Sequence, residues 1–233
     1  MKKAQPWLAA ILLGIAVLIF GRLYFKATEE TGQALDARQQ ALQTLGAYLA
    51  GLDGVECVQV LSNPFTQQSG QAREIHRFEN AGIRGLETGL GDAINARIVF
   101  PTVKPEYRDN PQSAVMPQDI KTPLSFLIDP GSVDQLAKDA PDCGLFVSLI
   151  GLPAGVTQLG VWKPNHTARF ALLLPDLRVV GTKAKAAQAF KSGKIVAAVV
   201  NDPNSAEPIL ITADNIDQIL KDNPNLLGFR RSR

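Results

Sequence analysis

The chain has 233 residues, of which 45% are hydrophobic and 20% are charged. This composition is typical of one folded domain with additional segments, and it excludes an intrinsically disordered chain, which has fewer apolar residues. Three of the 24 basic residues lie within the first 25 positions, so the rest of the chain, with 22 acidic residues, is nearly neutral. Such a domain lacks the clustered lysines and arginines that neutralise phosphates, and we predict that it does not bind nucleic acid.

Residues 1–25 are predicted to anchor the chain in a membrane. The segment from Trp7 to Phe25 has one charged residue, Arg22, in 19 positions. As a helix it would span about 28 Å, close to the hydrocarbon thickness of a bilayer. A cleaved signal peptide is the alternative, but bulky residues follow the apolar run where a peptidase requires small ones.

The two lysines at positions 2 and 3 predict the orientation of this anchor. Basic residues at the extreme N-terminus favour a cytoplasmic tail, with the remainder of the chain exported. We therefore expect a single-pass protein of the cell inner membrane, with residues 7–25 in the membrane and a C-terminal domain that is periplasmic or otherwise extracytoplasmic.

Residues 26–53 are predicted to form an amphipathic stalk helix. Its apolar stripe is interrupted by Arg38 and contains Leu35, Leu42, Leu45 and Leu49. The stripe has two interpretations. It could dock on an envelope protein partner or on a second copy of the chain, or it could pack against its own domain, which is the favoured interpretation.

Residues 54–224 alternate short apolar runs with helix-length polar segments. Several runs, such as FALLL and IVAAVV, are apolar at every position, as in strands of a parallel sheet that is buried on both faces. The predicted strands are Val55–Leu61, Ala96–Phe100, Leu124–Ile128, Leu145–Ile150, Phe170–Leu174, Ile195–Val200 and Ile209–Ile211. The predicted helices cover about 72–93, 131–140, 183–192 and 213–222.

The predicted fold class is α/β. An N-terminal transmembrane helix and the amphipathic stalk helix precede a three-layer sandwich with a mostly parallel sheet, and residues 225–233 form a basic tail. The last two strands are joined by the short segment NDPNSAEP, which predicts a hairpin and therefore one antiparallel edge.

Cys57 and Cys143 are the only cysteines, and each borders a predicted strand. Outside the cytoplasm they could form one disulfide. Two buried thiols on neighbouring strands are the favoured alternative, because cysteine is among the residues most often buried.

Catalytic and cofactor signatures are missing from the sequence. The segment GLETGLGDAI lacks the third glycine of a dinucleotide-binding fingerprint, and the two histidines have no metal-ligand spacing. Glu74, His76 and Glu79 share a helical segment, which favours a solvated face over an acid-base set. We predict no metal site and no cofactor, and enzymatic activity is not favoured.

Loops after the predicted strands are the candidates for ligand binding, because open parallel sheets bind ligands at the carboxyl ends of their strands. Asp176 and Arg178 follow one strand, and Asn201 and Asp202 follow the next. If these four polar residues converge, they could orient a hydroxylated or zwitterionic solute. Ordinary turns are the favoured alternative, since aspartate and proline are common in turns.

The stretch FALLLPD followed by AxxAFKSGKIVAAVV resembles one lobe of the type I periplasmic substrate-binding proteins, over about residues 55–220. This resemblance implies an α/β fold that binds an extracytoplasmic ligand. Those proteins have two lobes, whereas this chain has the length of one, so no binding residue is transferred. The predicted function is a membrane-anchored extracytoplasmic binding or sensing module; the alternative is an assembly partner of an envelope complex that docks through the stalk helix.

Overall fold

The computed structural model describes residues 29–202, 205 and 207–230. The chain divides into two compact units, Met1–Asp36 and Ala37–Arg233. In the first unit, described residues 29–36 are helical and Leu35 is half-buried. The predicted anchor at residues 7–25 lies outside the described residues, and among those described no helix is long and apolar enough to cross a membrane.

The second unit is built on a six-stranded sheet in the order β2-β1-β3-β4-β5-β6. The first five strands are parallel, and β6 is antiparallel to β5. The mostly parallel sheet and its antiparallel edge agree with the prediction. The strands are β1 (Cys57–Leu61), β2 (Asn95–Val99), β3 (Leu145–Ser148), β4 (Arg169–Leu173), β5 (Ile195–Asn201) and β6 (Pro208–Ile211).

Helices cover both faces of this sheet, as a three-layer sandwich requires. One apolar cluster joins α1 and α2 to one face, and a second cluster joins α5, α6 and α7 to the other. The helices of the second unit are α1 (37–50), α2 (Arg73–Leu90), α3 (Pro105–Arg108), α4 (Leu124–Leu127), α5 (Gly131–Asp139), α6 (Lys183–Lys191) and α7 (Ile216–Asp222).

Strand β3 shows why the first three of its four residues are apolar. Leu145 and Val147 enter the cluster with α1 and α2, whereas Phe146 enters the opposite cluster and stacks on Phe170 with ring centroids 5.5 Å apart. Because successive side chains of a strand point to opposite faces, a strand covered on both sides has no position for a polar surface residue.

The close packing of α1 against α2 depends on glycine. A Cβ atom on Gly85 would lie 2.1 Å from the backbone oxygen of Gln39, and one on Gly89 would lie 2.2 Å from that of Gln43. A larger residue at either position would push the helices apart. The glycines of the segment GLETGLGDAI therefore serve helix packing, and Gly91 ends α2 with φ of 63°.

The leucine stripe of the stalk packs inside the domain. Leu42, Leu45 and Leu49 are fully buried in the cluster that α1 shares with α2 and the sheet. Side chains without exposed surface cannot contact a partner, so docking through these three leucines is wrong. The stripe packs against its own domain, which is the interpretation that the sequence favoured.

One predicted strand is wrong. Leu124–Ile128 forms the short helix α4 and ends in a single antiparallel bridge between Ile128 and Val103. The turn is set locally, because Pro123 has helical φ and ψ and the Ser125 hydroxyl donates to the Thr122 carbonyl at 2.6 Å. A serine that bonds back to the preceding turn offers the backbone an alternative to a strand.

Cys57 and Cys143 are joined by a disulfide, with Cα atoms 5.1 Å apart. The sequence favoured two reduced thiols, and that interpretation is wrong. Because β1 and β3 are adjacent and parallel, the first residue of β1 lies beside the residues that lead into β3. Gln59 reinforces this junction by donating from Nε2 to the Cys143 carbonyl at 3.0 Å.

We predict that the double substitution Cys57→Ala and Cys143→Ala lowers the free energy of unfolding by about 2 to 4 kcal/mol, because the bridge constrains the unfolded chain. Urea denaturation with and without dithiothreitol measures the effect. The double variant is its own control, since the reductant should leave its transition unchanged. Equal transitions for oxidised and reduced wild-type protein would contradict the prediction.

Candidate functional site

The sheet reverses its winding direction between β1 and β3. The connection from β1 to β2 passes through α2 on one face, and the connection from β2 to β3 passes through α5 on the other face. In open α/β sheets, ligands bind outside the carboxyl ends of the strands at such a switch point. A ligand site is therefore expected at the carboxyl ends of β1 and β3.

A buried carboxylate organises the end of β1. Glu79 of α2 accepts hydrogen bonds from the Ser62 hydroxyl at 2.6 Å and from the Asn63 backbone N–H at 2.8 Å. Its other oxygen, Oε2, pairs with Arg38 Nη2 at 3.0 Å. Burial exceeds nine-tenths for Glu79 and is complete for Ser62, so the prediction of a solvated face at Glu79 is wrong.

Arg38 is held at this end of the sheet by two contacts. Besides the ion pair with Glu79, its Nε donates to the Phe78 carbonyl at 2.9 Å. Among the described residues, Nη1 has no hydrogen-bond partner. Burial lowers the pKa of Arg38, against the attraction of Glu79, but a guanidinium retains its charge in proteins.

A crevice with a volume of about 150 Å³ lies beside Arg38. Arg38 and Lys121 contribute positive charge to its walls, and the remaining surface is mainly apolar. The other lining residues belong to the segment before α4 and to the ends of β3 and β4: Thr122, Pro123, Leu124, Leu149, Ile150, Leu173 and Leu174.

The backbone around the crevice is unusual at two positions. Leu174, directly after β4, has a φ of 43°, which is uncommon for a residue with a side chain. Gly151 has a φ of 84°, and a Cβ atom there would lie 2.6 Å from Thr122 Cγ2. Glycine adopts such a φ without strain, whereas the backbone of Leu174 is strained. Strained residues cluster at binding sites, where the surrounding structure maintains them.

Asp176 and Arg178 are bonded to each other and to neighbouring parts of the protein. Asp176 is almost fully buried and accepts from Arg178 Nη2 at 2.6 Å and from the Lys121 backbone N–H at 3.1 Å. Arg178 also donates to the Asp119 carbonyl at 3.0 Å. These contacts fix the segment that carries Lys121 against the end of β4.

The C-terminal residues also pack against Asp176 and Lys121. A Cβ atom on Gly228 would lie 2.3 Å from Asp176 Oδ1, and Lys121 Nζ donates to the Leu226 carbonyl at 3.2 Å. Leu226, together with Leu227 and Phe229, is buried in the core. Residues from 225 were assigned to a basic tail, but in the structure residues 225–229 are part of the folded domain.

Asn201 and Asp202 lie at the end of β5, where the chain turns towards β6. Asn201 pairs with Pro208 across the hairpin, and the Asp202 carbonyl accepts from the Ser205 N–H at 3.0 Å. In the described part of the chain, none of the four predicted ligand residues is among those that line the crevice. The four residues thus remain a sequence prediction, and the structure offers Arg38 and Lys121 as better placed candidates.

The charges around Lys121 affect one another. Burial raises the pKa of the Asp176 carboxyl, but hydrogen bonds from Arg178 and from the Lys121 N–H outweigh burial and hold the pKa below its usual value. Burial lowers the pKa of the Lys121 ammonium, and the nearby Asp176 carboxylate opposes that effect. The crevice is therefore lined by a lysine whose positive charge is costly to desolvate and is stabilised by the Asp176 carboxylate.

Metal binding has no support within residues 29–202, 205 and 207–230, where no group of three or more His, Cys, Asp or Glu side chains could hold an ion.

Sequence reasoning missed Arg38, Glu79 and Lys121 as site residues. Two of them carried a signal, because Arg38 interrupts the leucine stripe of α1 and Glu79 lies seven residues before the buried Leu86 of α2. Opposite charges within two facing apolar stripes indicate a buried ion pair. Lys121 carried no such signal, since it lies in a loop.

Solved structures similar to this chain include bacterial transport proteins and a transcriptional regulator. A carbohydrate transporter from Acidothermus cellulolyticus 11B in complex with myo-inositol is 13% identical, with a TM-score of 0.47 over 82% of this chain and 62% of that chain. A LacI-type transcriptional regulator from Bacteroides fragilis is 11% identical, with a TM-score of 0.44 over 78% and 61%. A solute-binding protein from Burkholderia graminis C4D1M with D-arabinose is 12% identical, with a TM-score of 0.42 over 75% and 60%.

The chain therefore spans less than two thirds of the length of each of these proteins. Neither a protein-family model nor a curated protein matches the chain.

The low pKa of Asp176 predicts a specific loss of stability in acid. Because the pKa is lower in the folded chain than in the unfolded chain, the contribution of Asp176 is present above the unfolded value of about 3.9 and is lost as the pH falls through the folded value. The free energy of unfolding of the wild type should therefore fall more steeply below about pH 4 than that of Asp176→Asn.

Urea denaturation at intervals from pH 5 to pH 2.5 measures these slopes. Asp214→Asn, which changes an exposed carboxylate before α7, is the matched control and should retain the wild-type slope. Parallel slopes for the wild type and Asp176→Asn would show that this carboxyl does not couple folding to protons.

Proposed function

We propose that the chain is a membrane-anchored extracytoplasmic domain that binds or senses a small anionic or zwitterionic solute. The observation that carries this proposal is the crevice at the carboxyl ends of β3 and β4, where Arg38 and Lys121 converge beside the switch point of the sheet. Open α/β sheets bind ligands outside the carboxyl ends of their strands, and this crevice lies at those ends, next to the switch point between β1 and β3.

The lining of the crevice favours a particular kind of solute. The two cations that line the crevice can pair with a carboxylate, and Arg38 Nη1 can donate while Nε and Nη2 remain bonded to the protein. Leu149, Ile150 and Leu174 would contact a short apolar portion. A volume of about 150 Å³ is below the roughly 300 to 1,000 Å³ of sites for drug-sized molecules, so amino acids and short carboxylic acids are the expected class.

The positions of the two cations are set before any solute arrives. Glu79 holds Arg38, and the contacts of Asp176 hold the segment that carries Lys121. A preorganised site loses less conformational entropy on binding than one that must be assembled. The disulfide between Cys57 and Cys143 supports the exported location, since such bonds persist in oxidising compartments.

Thermal unfolding of the full chain with a panel of amino acids, short carboxylic acids, sugars and nucleosides tests the proposal. A solute present at a hundred times its dissociation constant adds about 2.7 kcal/mol of stability, which appears as a raised midpoint. We expect a carboxylate-bearing solute to give this shift, and calorimetric titration then measures its affinity.

Lys121→Gln should weaken the binding of that solute about tenfold, because it removes one charge-assisted hydrogen bond. Lys221→Gln removes the same charge from an exposed position of α7 and should leave the affinity unchanged. A panel without any shift, or equal affinities for the two variants, would argue against the crevice.

The proposed topology has its own test. An alkaline phosphatase fused to the C-terminus should be active, because this reporter folds only outside the cytoplasm, and the protein should remain in the membrane after alkaline washing. The same fusion without residues 1–25 should be inactive. Release of the protein in soluble form would show that the N-terminal segment is cleaved.

A further inference from the structure

A larger cavity lies in the helix layer on the other face of the sheet. It is a groove of about 580 Å³ between α6 and residues 157–164. Its volume is within the range of about 300 to 1,000 Å³ that is typical of small-molecule sites. It shares no lining residue with the crevice, so the two cavities can be tested separately.

The floor of the groove is apolar. Trp162 packs on Phe170 with ring centroids 5.7 Å apart, and the buried side chains of Val180 and Ala189 lie beside it. The alanine at position 189 matters, because a small side chain on this face of α6 leaves room that a leucine or phenylalanine would fill.

One wall of the groove is fixed by a half-buried lysine. Lys194 Nζ donates to the carbonyls of Ala168 at 2.8 Å, Val161 at 3.0 Å and His166 at 3.0 Å. These contacts tie the segment that carries Trp162 to the residue that precedes β5. The groove is therefore formed before a ligand binds, which reduces the entropic cost of occupying it.

The rim of the groove is positively charged. Lys163 and Lys185 are exposed on its two sides, and the described lining residues include no carboxylate. Asp217, an acidic residue that contacts α6, pairs with Lys191 at 2.6 Å, outside the groove. Two lysines above an apolar floor complement a molecule with an anionic group at one end and an apolar body at the other.

We propose that this groove is a second binding site, for a small amphipathic anion such as a carboxylic acid with an aromatic or aliphatic body. The apolar body would lie on Trp162 and Val180, and the carboxylate would lie between Lys163 and Lys185. This site is independent of the crevice, and its occupant would be larger and more apolar than the solute proposed there.

Trp162 supplies a direct reporter of binding. The chain has two tryptophans, so in the full-length variant Trp7→Phe the tryptophan emission comes from Trp162 alone. Titration with 3-phenylpropionate, which is transparent at the excitation wavelength for tryptophan, should change this emission in a saturable manner. The uncharged 3-phenylpropanamide has nearly the same shape and should bind more weakly.

In the same background, Lys163→Glu with Lys185→Glu should weaken the binding of 3-phenylpropionate about tenfold, because two weak attractions become repulsions. The matched control, Lys183→Glu with Lys221→Glu, makes the same change of charge outside the groove and should retain the affinity. Lys121→Gln, which tests the crevice, should also have no effect.

Three results would overturn the proposal: no saturable change of emission, equal binding of the acid and the amide, or equal affinities for the two double variants. The milder pair Lys163→Gln with Lys185→Gln should give an intermediate affinity, which separates a loss of charge pairing from a disturbed fold.

Discussion

The carboxylate of Glu79 is the contact on which the arrangement of the domain depends. It joins three elements that are distant in sequence, because it accepts from Arg38 of α1 and from Ser62 and Asn63 after β1, while its own backbone belongs to α2. A buried carboxylate without such donors would be strongly destabilising. The need to satisfy Glu79 therefore fixes where α1 crosses α2, and that crossing in turn places Arg38 at the crevice.

Asp176 has the corresponding role on the other side of the crevice. It binds Arg178 and the backbone of Lys121, and it lies against Gly228 of the C-terminal segment. Each buried carboxylate thus has one arginine partner and one or more backbone donors, and each positions a cation. The crevice lies between the Glu79 and Asp176 carboxylates, each of which has its hydrogen bonds satisfied. Arg38 and Lys121 therefore face a solute, while the carboxylates that position them are shielded from water.

The sheet and most helices could be predicted because burial on two faces leaves a continuous apolar signal, as in Phe170–Leu174 and Ile195–Val200. The run Leu124–Ile128 is also mainly apolar, but Pro123 and the hydroxyl side chains of Thr122 and Ser125 decide its conformation locally. The site was less predictable. Asp176 was chosen as a ligand for its position after β4, yet its carboxylate bonds to Arg178 two residues later and to the backbone N–H of Lys121, which no local pattern brings near it.

The single disulfide has a consequence for how the chain matures. Cys57 precedes Cys143 by 86 positions, so during synthesis or export the first thiol is made well before its partner and must remain unreacted until β3 follows. With two cysteines in the whole sequence, one intramolecular pairing exists and no scrambled isomer can form within a molecule. An oxidant is then sufficient to complete the bond, and the thiol reshuffling that multi-disulfide proteins require has no role here.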